Sequence, residues 1–521
     1  IEDYPTTNMQ PWEFKHRGRL TQQEIKENPI ISRCYAFRED AKHFFVKDKE
    51  HPYHQIKPFD WIRGYQVGGK SIMWARQVQR WSPYDFEGPA RDGYAVDWPI
   101  GYKDLASWYT YVERFVGVSG NKDGLDTLPD GEFLKPWESN IVEEYFSQQI
   151  RKHYNDRHVI YGRCAHLTEN KPIFVKQGRG LCMSRRICQR GCPLGGYFNA
   201  NSTLIPWALS TGKMTLKPNS VVHSIIYDDE KQKATGVRVI NANTKEYVEY
   251  FANVIFVNAA TLNTNLILLN SKSKRFPNGL GNDNGLLGKY IAFHNYRATI
   301  KAEFEGYPQY TTEGAKPTSH YIPRFRNIYN QETDFLRGYA AGFVARPVRE
   351  TIREGYGDVL FDNLLKTKET GLWRVSSHMM GETIPKKSNH VFLDHNLKDQ
   401  WGIPQLNIDV DYDDNDEKMI LDFFEQFSEM YSKAGFVNIK TNDDRRRPGN
   451  DIHEMGGVRM GKDPKTSLLN KWNQMHNCKN VFVTDGACMT STSTQNPSLT
   501  FMAISARAAN YAVDQLKKRN L

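Results

Sequence analysis

The chain has 521 residues and a mass of 60.3 kDa, enough for two or three domains or for one large enzyme fold. Hydrophobic residues make up 39%, aromatic residues 12% and charged residues 25%, a globular composition that argues against disorder. The net charge is +9, yet the longest basic run is three arginines at 445–447. Nucleic-acid binding is disfavoured, because it normally requires a concentrated basic face. No stretch of about 18 apolar residues occurs, so we predict no membrane span.

The first sixty residues are polar and rich in prolines, which predicts an irregular surface arm. Gly68 and Gly69 then interrupt an apolar segment, and paired glycines permit the backbone to approach a flat or charged group closely. Helical periodicity begins after Ser139, which we predict to be the helix cap. The predicted apolar face of this helix consists of Ile141, Val142, Tyr145, Phe146 and Ile150.

Between residues 214 and 258 the pattern changes to short strands separated by polar turns, which predicts an antiparallel meander. A short apolar strand at 254–257 follows and meets a helix across Ala259 and Ala260. A buried strand that meets a helix at small residues is typical of a parallel sheet that binds a nucleotide.

Residues 290–440 alternate strand-like segments with one long amphipathic helix that we expect to end near Gly435. The apolar face of that helix contains Ile420, Phe423, Phe424, Phe427 and Tyr431. We therefore predict a mixed α/β (α+β) fold, in which a Rossmann-like nucleotide-binding domain is joined to a domain with a mainly antiparallel sheet.

The C-terminal region has the most informative motifs. DIHEMGGVRMG at 451–461 precedes a predicted buried strand that ends in Asp485 and Gly486. A last helix is predicted to begin at Pro497 with Asn496 as its cap, and the N–H groups of its first turn suit an anionic oxygen or the edge of a reduced flavin. The residues predicted to face inward on this helix are Leu499, Met502, Ala503, Ala506 and Ala509.

These motifs, in this order, resemble those of the glucose-methanol-choline (GMC) oxidoreductases, a family of FAD-dependent enzymes that oxidise alcohols and sugars. The matching residues are His453, Gly456 and Gly457, Arg459 to Gly461, Asp485 and Gly486, and Asn496 and Pro497. VGGKSIMWARQ at 67–77 resembles the family's upstream Gly-Gly-x-Ser motif, with Trp74 where an Asn is common.

The family's FAD-binding fingerprint, G-x-G-x-x-G, does not occur before Gly68. The chain begins at Ile1 without a signal-peptide pattern. We therefore expect that some tens of residues precede Ile1 in the complete protein. The alternative is a relative that has lost FAD and only binds carbohydrate.

The resemblance implies that His453 accepts the proton of a substrate hydroxyl while Asn496 holds the same oxygen. By itself, a histidine before glycines is more often a structural turn residue, and the ordered motifs outweigh that interpretation. A zinc-protease motif is excluded because no second histidine follows at the required spacing. The residues implied to contact FAD are Val67, Gly68, Gly69, Ser71, Met73, Val222, Ala259, Ala260, Asp485, Gly486 and Pro497.

Three of the seven cysteines, Cys182, Cys188 and Cys192, lie within eleven positions, and Pro193 follows the last one. This spacing does not fit a zinc ribbon, which needs two C-x-x-C pairs. It resembles the cysteine run of bacterial FAD-dependent sugar dehydrogenases in the GMC family, in which three thiolates hold a [3Fe–4S] cluster. A fourth ligand from Cys164, a disulfide plus a free thiol, and a zinc site remain alternatives. Arginines at 185, 186 and 190 would offset the charge of the thiolates.

Within the family, the chain resembles the glucoside 3-dehydrogenase large subunits most, which implies oxidation of a sugar C3 hydroxyl and electron transfer to cytochrome c. It also implies a small companion subunit that carries the export signal, and a periplasmic location. A gluconate 2-dehydrogenase-like or other sugar dehydrogenase is the alternative. Trp61, Trp74 and Trp373 are candidates for stacking on a pyranose or for the core.

The implied domains are an FAD domain at 1–290 with a cysteine insertion around 160–200, a substrate domain at 291–440, and a return to the FAD domain at 441–521.

Overall fold

The computed structural model describes residues 4–307, 316–351, 353–365 and 367–521. Its helices are α1 (Gln22–Glu27), α2 (Pro83–Asp92), α3 (Tyr102–Val116), α4 (Ile141–His153), α5 (Pro172–Lys176), α6 (Ile205–Leu209), α7 (Thr261–Asn270), α8 (Gly357–Leu365), α9 (Asp414–Lys433) and α10 (Ser498–Lys517). Its strands are β1 (His54–Gln55), β2 (Ser220–Asp228), β3 (Lys233–Asn241), β4 (Tyr247–Phe251), β5 (Ile255–Phe256), β6 (Lys289–Ala292), β7 (His294–Asn295), β8 (Ala298–Glu305), β9 (His320–Ile322), β10 (Tyr339–Thr351), β11 (Thr367–Glu382), β12 (His390–Lys398), β13 (Pro404–Asp409), β14 (Val437–Asp443), β15 (Met455–Gly457) and β16 (Val481–Phe482).

The predicted short strand that leads into a helix after residue 254 is present. β5 pairs in parallel with β16, with Ile255 opposite Val481, and four residues separate the end of β5 from Thr261, where α7 begins. The preceding strands form the predicted antiparallel meander in the order β2-β3-β4. Two segments that are more than 200 residues apart in sequence therefore build one parallel strand pair beside the meander.

A large antiparallel sheet covers much of residues 298–443. Its strands run in the order β14-β8-β11-β10-β9, and β7 pairs with β11. Helix α9 packs on β8 and β14 and buries the aromatic face that periodicity predicted, while the Phe146 ring of α4 stacks on Phe343 of β10 at a centroid distance of 4.3 Å. Burial stabilises each such large apolar side chain by about 1.5–3 kcal/mol.

The second large sheet positions the C-terminal motif. Its strands run in the order β1-β13-β12-β6-β15. Met455 of β15 lies opposite Ala292 of β6, so His453, two residues before Met455, and His294, two residues after Ala292, are carried to the same end of this strand pair. The two histidines come together because their strands lead to the same end of the sheet, although they are far apart in sequence.

Several predicted details are wrong. The cap of α4 is Asn140, whose Oδ1 accepts the N–H groups of Val142 and Glu143 at 3.1 and 2.9 Å; Ser139 instead hydrogen-bonds the His320 ring at 2.7 Å. The cap position of α10 is Pro497 and not Asn496. Ala509 is exposed, because Ile504, Ala508 and Ala512 continue the buried face.

The N-terminal segment is irregular, as predicted, but it is not a surface arm. Side chains from residues 4–45 form an apolar cluster with Ile62, Ile72 and Met73. The same segment contacts the cysteine run, because the Thr7 hydroxyl donates to the Gly191 carbonyl at 2.9 Å. Trp373 is fully buried in the core of the large sheet, so it is not available to stack on a sugar. No described helix combines the length and apolar character needed to cross a membrane.

Candidate active site

The two residues implied to hold a substrate oxygen lie side by side. His453 lies just before β15 and Asn496 just before α10, and the Asn496 Nδ2 is 3.4 Å from the His453 Nε2. Asn496 is 6% exposed, and its Oδ1 has no hydrogen-bond partner among the described residues. A buried amide oxygen without a protein partner is unfavourable unless another group donates a hydrogen bond to it.

A third side chain completes this group. The Nδ1 of His294, in β7, is 2.9 Å from the Nδ1 of His453, and its Nε2 is 2.5 Å from the backbone carbonyl of Ser493. His294 is fully buried. Sequence reasoning missed it, because no local motif marks a histidine whose role arises only when β6 pairs with β15.

The electrostatics of this group follow from burial. Burial lowers the pKa of His294 to about 4, and it lowers the pKa of His453 well below its usual 6.5, with further contributions from His294 and Lys70. Burial raises the pKa of Asp451 to about 7, and its carboxylate accepts the backbone N–H of His294 at 2.9 Å. Both imidazoles are therefore uncharged near neutral pH, the state in which an imidazole can accept a proton.

The paired glycines form a tight turn beside these residues. Gly68 and Gly69 have positive φ angles of 89° and 53°, and a Cβ on Gly68 would lie 1.7 Å from the Asn201 Oδ1. The Ser71 hydroxyl donates to the Gly68 carbonyl at 2.5 Å and accepts the N–H of Ala200 at 3.0 Å. Ser71 therefore holds the turn in place, and only glycine fits at position 68.

An ion pair joins this turn to the histidine motif. The Lys70 ammonium is 3.4 Å from the carboxylate of Glu454, the residue after His453. Met73, which the family resemblance implied as an FAD contact, is buried in the N-terminal apolar cluster, and its contact with a flavin remains a prediction.

A cavity of about 580 Å³ adjoins the glycine turn. Four of the residues implied to contact FAD, namely Val67, Gly68, Val222 and Ala259, line it together. Its wall also contains the aromatic rings and cationic groups of Trp61, Arg63, Tyr65, Lys217 and Trp401. Aromatic faces and positive charges in one cleft match the chemistry of a dinucleotide, which has flat rings and phosphates.

The remaining implied FAD residues shape the neighbouring loops. The Asp485 carboxylate accepts the Thr264 hydroxyl at 2.6 Å and the Ala487 N–H at 3.0 Å, and burial raises its pKa to about 6. Ala260 has a φ of 68°, rare for a residue with a side chain. A Cβ on Gly486 would lie 2.6 Å from the Glu454 carbonyl, so this glycine lets the β16 loop pack against the histidine motif.

The three clustered cysteines line one small cavity. The structure pairs none of the seven cysteines in a disulfide, and the disulfide alternative gains no support from it. Burial, with contributions from Cys188 and Cys192, raises the pKa of Cys182 to about 11. In the described part of the chain, His294, Asp451 and His453 form the one set of three His, Cys, Asp or Glu side chains whose donor atoms all lie within 4.8 Å. The three clustered cysteines do not form such a set in the described residues.

Two neighbours of the cysteines differ from expectation. The Cys164 sulfur is 3.3 Å from the Ser119 hydroxyl and does not line the cavity, whereas the ring of His166 does, with its Nε2 3.9 Å from the Cys188 sulfur. Arg190 pairs with Asp40 at 2.8 Å and does not face the cysteines, so the cations at this cavity are the arginines at 185 and 186.

Comparison with known proteins agrees with this geometry. Residues 385–505 match the GMC oxidoreductase C-terminal domain model. The chain carries a GMC oxidoreductase C-terminal domain. This GMC domain contains β12 to β15, α9, His453 and Asn496.

Relatives extend the similarity over most of the chain. The 2-methyl-1,2-propanediol dehydrogenase of Mycolicibacterium austroafricanum is 28% identical over 85% of this chain and 80% of that protein. The fructose dehydrogenase large subunit of Gluconobacter japonicus is 25% identical, with coverages of 87% and 81%. The gluconate 2-dehydrogenase flavoprotein of Pantoea cypripedii is 24% identical, with coverages of 90% and 82%.

A solved structure shows the same fold. Formate oxidase of Aspergillus oryzae, determined in a study of FAD modification, superposes with a TM-score of 0.56 at 10% identity and covers 91% of this chain and 89% of its own. The GMC fold implies an FAD cofactor. The amide oxygen of Asn496, which has no partner among the described residues, and the cavity beside the glycine turn fit that implication, because each offers contact surface to a further group.

Proposed function

We propose that the protein is an FAD-dependent dehydrogenase that oxidises a secondary hydroxyl group of glucose, glycosides or disaccharides, at C3, to a keto sugar. The observation that carries this proposal is the pairing of a neutral, buried His453 with Asn496, whose amide oxygen has no protein partner. The choice of C3 rests on the resemblance of the motifs at 67–77 and 453–461 to those of glucoside 3-dehydrogenase large subunits.

In this proposal His453 and Asn496 act on the same hydroxyl group. The Nε2 of His453 accepts the hydroxyl proton, and the Asn496 amide donates a hydrogen bond to the oxygen that is left behind. Bound FAD supplies the acceptor for the hydride that leaves the alcohol carbon. His453 suits the role of base because burial keeps it uncharged before the substrate arrives.

The residues proposed to hold FAD divide into two groups. Val67, Gly68, Val222 and Ala259 line the large cavity and would contact the nucleotide portion. Gly69 and Ser71 belong to the turn that Lys70 joins to Glu454. Ala260, Asp485, Gly486 and Pro497 lie at the start of α7, in the loop after β16 and at the start of α10. Both groups border backbone that glycine or alanine leaves open to a flat ligand.

We further propose that Cys182, Cys188 and Cys192 hold a [3Fe–4S] cluster. Support comes from the cavity that the three cysteines line together and from the resemblance of their spacing to the cysteine run of cluster-binding sugar dehydrogenases. Cys164 faces Ser119 instead, which favours three ligands over four. The bound cluster would supply a one-electron route out of the enzyme, and its binding would require the three thiols to lose their protons.

The proposed electron acceptor is an external cytochrome c, and a small companion subunit is proposed to accompany the chain to the periplasm. The companion subunit draws support from the names of two relatives, a fructose dehydrogenase large subunit and a gluconate 2-dehydrogenase flavoprotein. The acceptor and the location rest on the resemblance to glucoside 3-dehydrogenase large subunits. The second of these names also supports the alternative substrate, a sugar acid such as gluconate.

Product analysis tests the proposed function. Purified holoenzyme is incubated with an artificial electron acceptor and with glucose, lactose or gluconate in parallel, and the products are identified by NMR. A 3-keto sugar from glucose or lactose is the expected result. A 2-keto acid from gluconate would show that the substrate is a sugar acid and not a neutral sugar. A colourless protein that binds sugar without turnover would support the cofactor-free alternative.

A further inference from the structure

We infer that His294 is a positioning residue that fixes the proton of His453 on Nδ1 and so leaves Nε2 free to accept the substrate proton. The inference deepens the proposed function, because it assumes that His453 is the base. It rests on a chain of three hydrogen bonds in which each partner has a determined role.

The series of hydrogen bonds begins at a carbonyl group. The backbone oxygen of Ser493 can only accept a hydrogen bond, so the His294 Nε2, at 2.5 Å from it, carries a proton. Burial keeps His294 uncharged, and a neutral imidazole has one protonated nitrogen. The Nδ1 of His294 is therefore a bare acceptor.

The second bond follows from the first. The His294 Nδ1 lies 2.9 Å from the His453 Nδ1, and because the former has no proton to give, the latter must donate. His453 is also uncharged, so its Nε2 has a free lone pair. This lone pair faces the Asn496 amide at 3.4 Å, an arrangement in which Asn496 donates through its Nδ2. The tautomer is thus inferred from the hydrogen-bond network, as it must be without observed hydrogens.

The surrounding structure holds Ser493 and His294 in place. The Ser493 hydroxyl donates to Asp85 at 3.1 Å. The backbone of His294 is fixed by pairing with Glu382 of β11 and by its N–H bond to Asp451. Because His294 is fully buried, water cannot substitute for its ring. Without an acceptor at this point, His453 could place its proton on Nε2, the nitrogen that must be free.

The test compares two substitutions at one position. Asn carries a side-chain oxygen near the place of the histidine Nδ1, so His294→Asn retains an acceptor, whereas His294→Leu removes it at similar volume. His320→Leu, which removes another buried imidazole of the large sheet, controls for the loss of a ring. The holoenzymes are labelled with [15N]histidine, and the signal of His453 is assigned by its loss in His453→Gln.

We expect the imidazole nitrogen shifts to show His453 protonated on Nδ1 in the wild type, in His294→Asn and in His320→Leu, but not in His294→Leu. Sugar-dependent flavin reduction should fall by about a hundredfold or more in His294→Leu alone. An unchanged tautomer in His294→Leu, or equal losses of rate in His294→Asn and His294→Leu, would overturn the inference. If the tautomer of His453 changes in His294→Leu but His453→Gln keeps full activity, the proposed role of His453 is refuted and the positioning by His294 stands.

Discussion

At the scale of single residues, the candidate site joins a base that burial keeps neutral to an amide donor. Substituting Asn496 by Ala should lower kcat for the sugar by about a hundredfold, because the developing negative charge on the oxygen loses a fixed donor. Asn140→Ala is the matched control: it removes the cap of α4 and should lower the unfolding free energy by about 1 kcal/mol without changing kcat. Steady-state kinetics and thermal unfolding separate the two, and equal kcat values for both variants would contradict the role of Asn496.

The pH dependence of catalysis should reflect the environment of His453. Burial, His294 and Lys70 all disfavour its charged form, and the acidic side chains at this site are Asp451 and Glu454. Activity is lost when the base is protonated, so the acid limb of kcat/KM should lie below the usual pKa of histidine, about 6.5. A limb assigned to His453 that lies above pH 7 would show that the imidazole is not desolvated as described.

Asp451 should make stability depend on pH in the opposite sense to an ordinary carboxylate. Burial raises its pKa from 3.8 to about 7, so its contribution to stability is present below the unfolded pKa and is lost as pH rises through about 7. Asp451→Asn does not titrate and should show a smaller loss of unfolding free energy between about pH 5 and about pH 8. Parallel pH profiles for the two proteins would refute this prediction.

At the scale of elements, the glycine turn at 68–72 tests the cofactor site. Gly68→Ala and Gly93→Ala both place a side chain at positive φ, which costs about 1–2 kcal/mol. A Cβ on Gly68 would meet Asn201 at 1.7 Å, whereas a Cβ on Gly93 has nothing within 4 Å. Flavin content should therefore fall in Gly68→Ala and stay normal in Gly93→Ala. Full flavin content in both would show that this turn does not border the cofactor.

The presence and type of many elements were predictable from the sequence, but their exact ends and their long-range contacts were not. The 3.6-residue period of α9 and the alternation of β2 to β4 are local properties, so the sequence reveals them. The cap of α4 lies at Asn140 and not at Ser139, because either residue type suits a cap and backbone geometry decides between them. His294 could not be predicted, since only the pairing of β6 with β15 brings it to His453.

At the scale of the whole molecule, the cysteine cavity lies against the glycine turn. The Tyr197 hydroxyl donates to the backbone carbonyl of Ile72, within that turn, and the same tyrosine lines the cavity of the three cysteines. One buried side chain therefore joins the cavity of the three cysteines to the turn that carries Gly68 and Gly69. Such proximity is what a route for single electrons between them requires.

Cys188→Ser should separate the two halves of the reaction. Sugar should still reduce the flavin, because His453 and Asn496 are unchanged, but reduction of cytochrome c should fall to near background and the iron–sulfur EPR signal should be lost. Cys478→Ser, at a buried thiol outside the cysteine cavity, should leave both intact. Normal cytochrome reduction by Cys188→Ser would remove the cysteines from the electron path.

The most direct measurement is anaerobic rapid mixing of the holoenzyme with glucose, followed by the flavin absorbance. We predict that the wild type loses its oxidised flavin band within the mixing experiment. His453→Ala, with the same flavin content, should do so about a hundredfold to ten-thousandfold more slowly. An equal rate of bleaching in both proteins would contradict the assignment of His453 as the base that begins sugar oxidation.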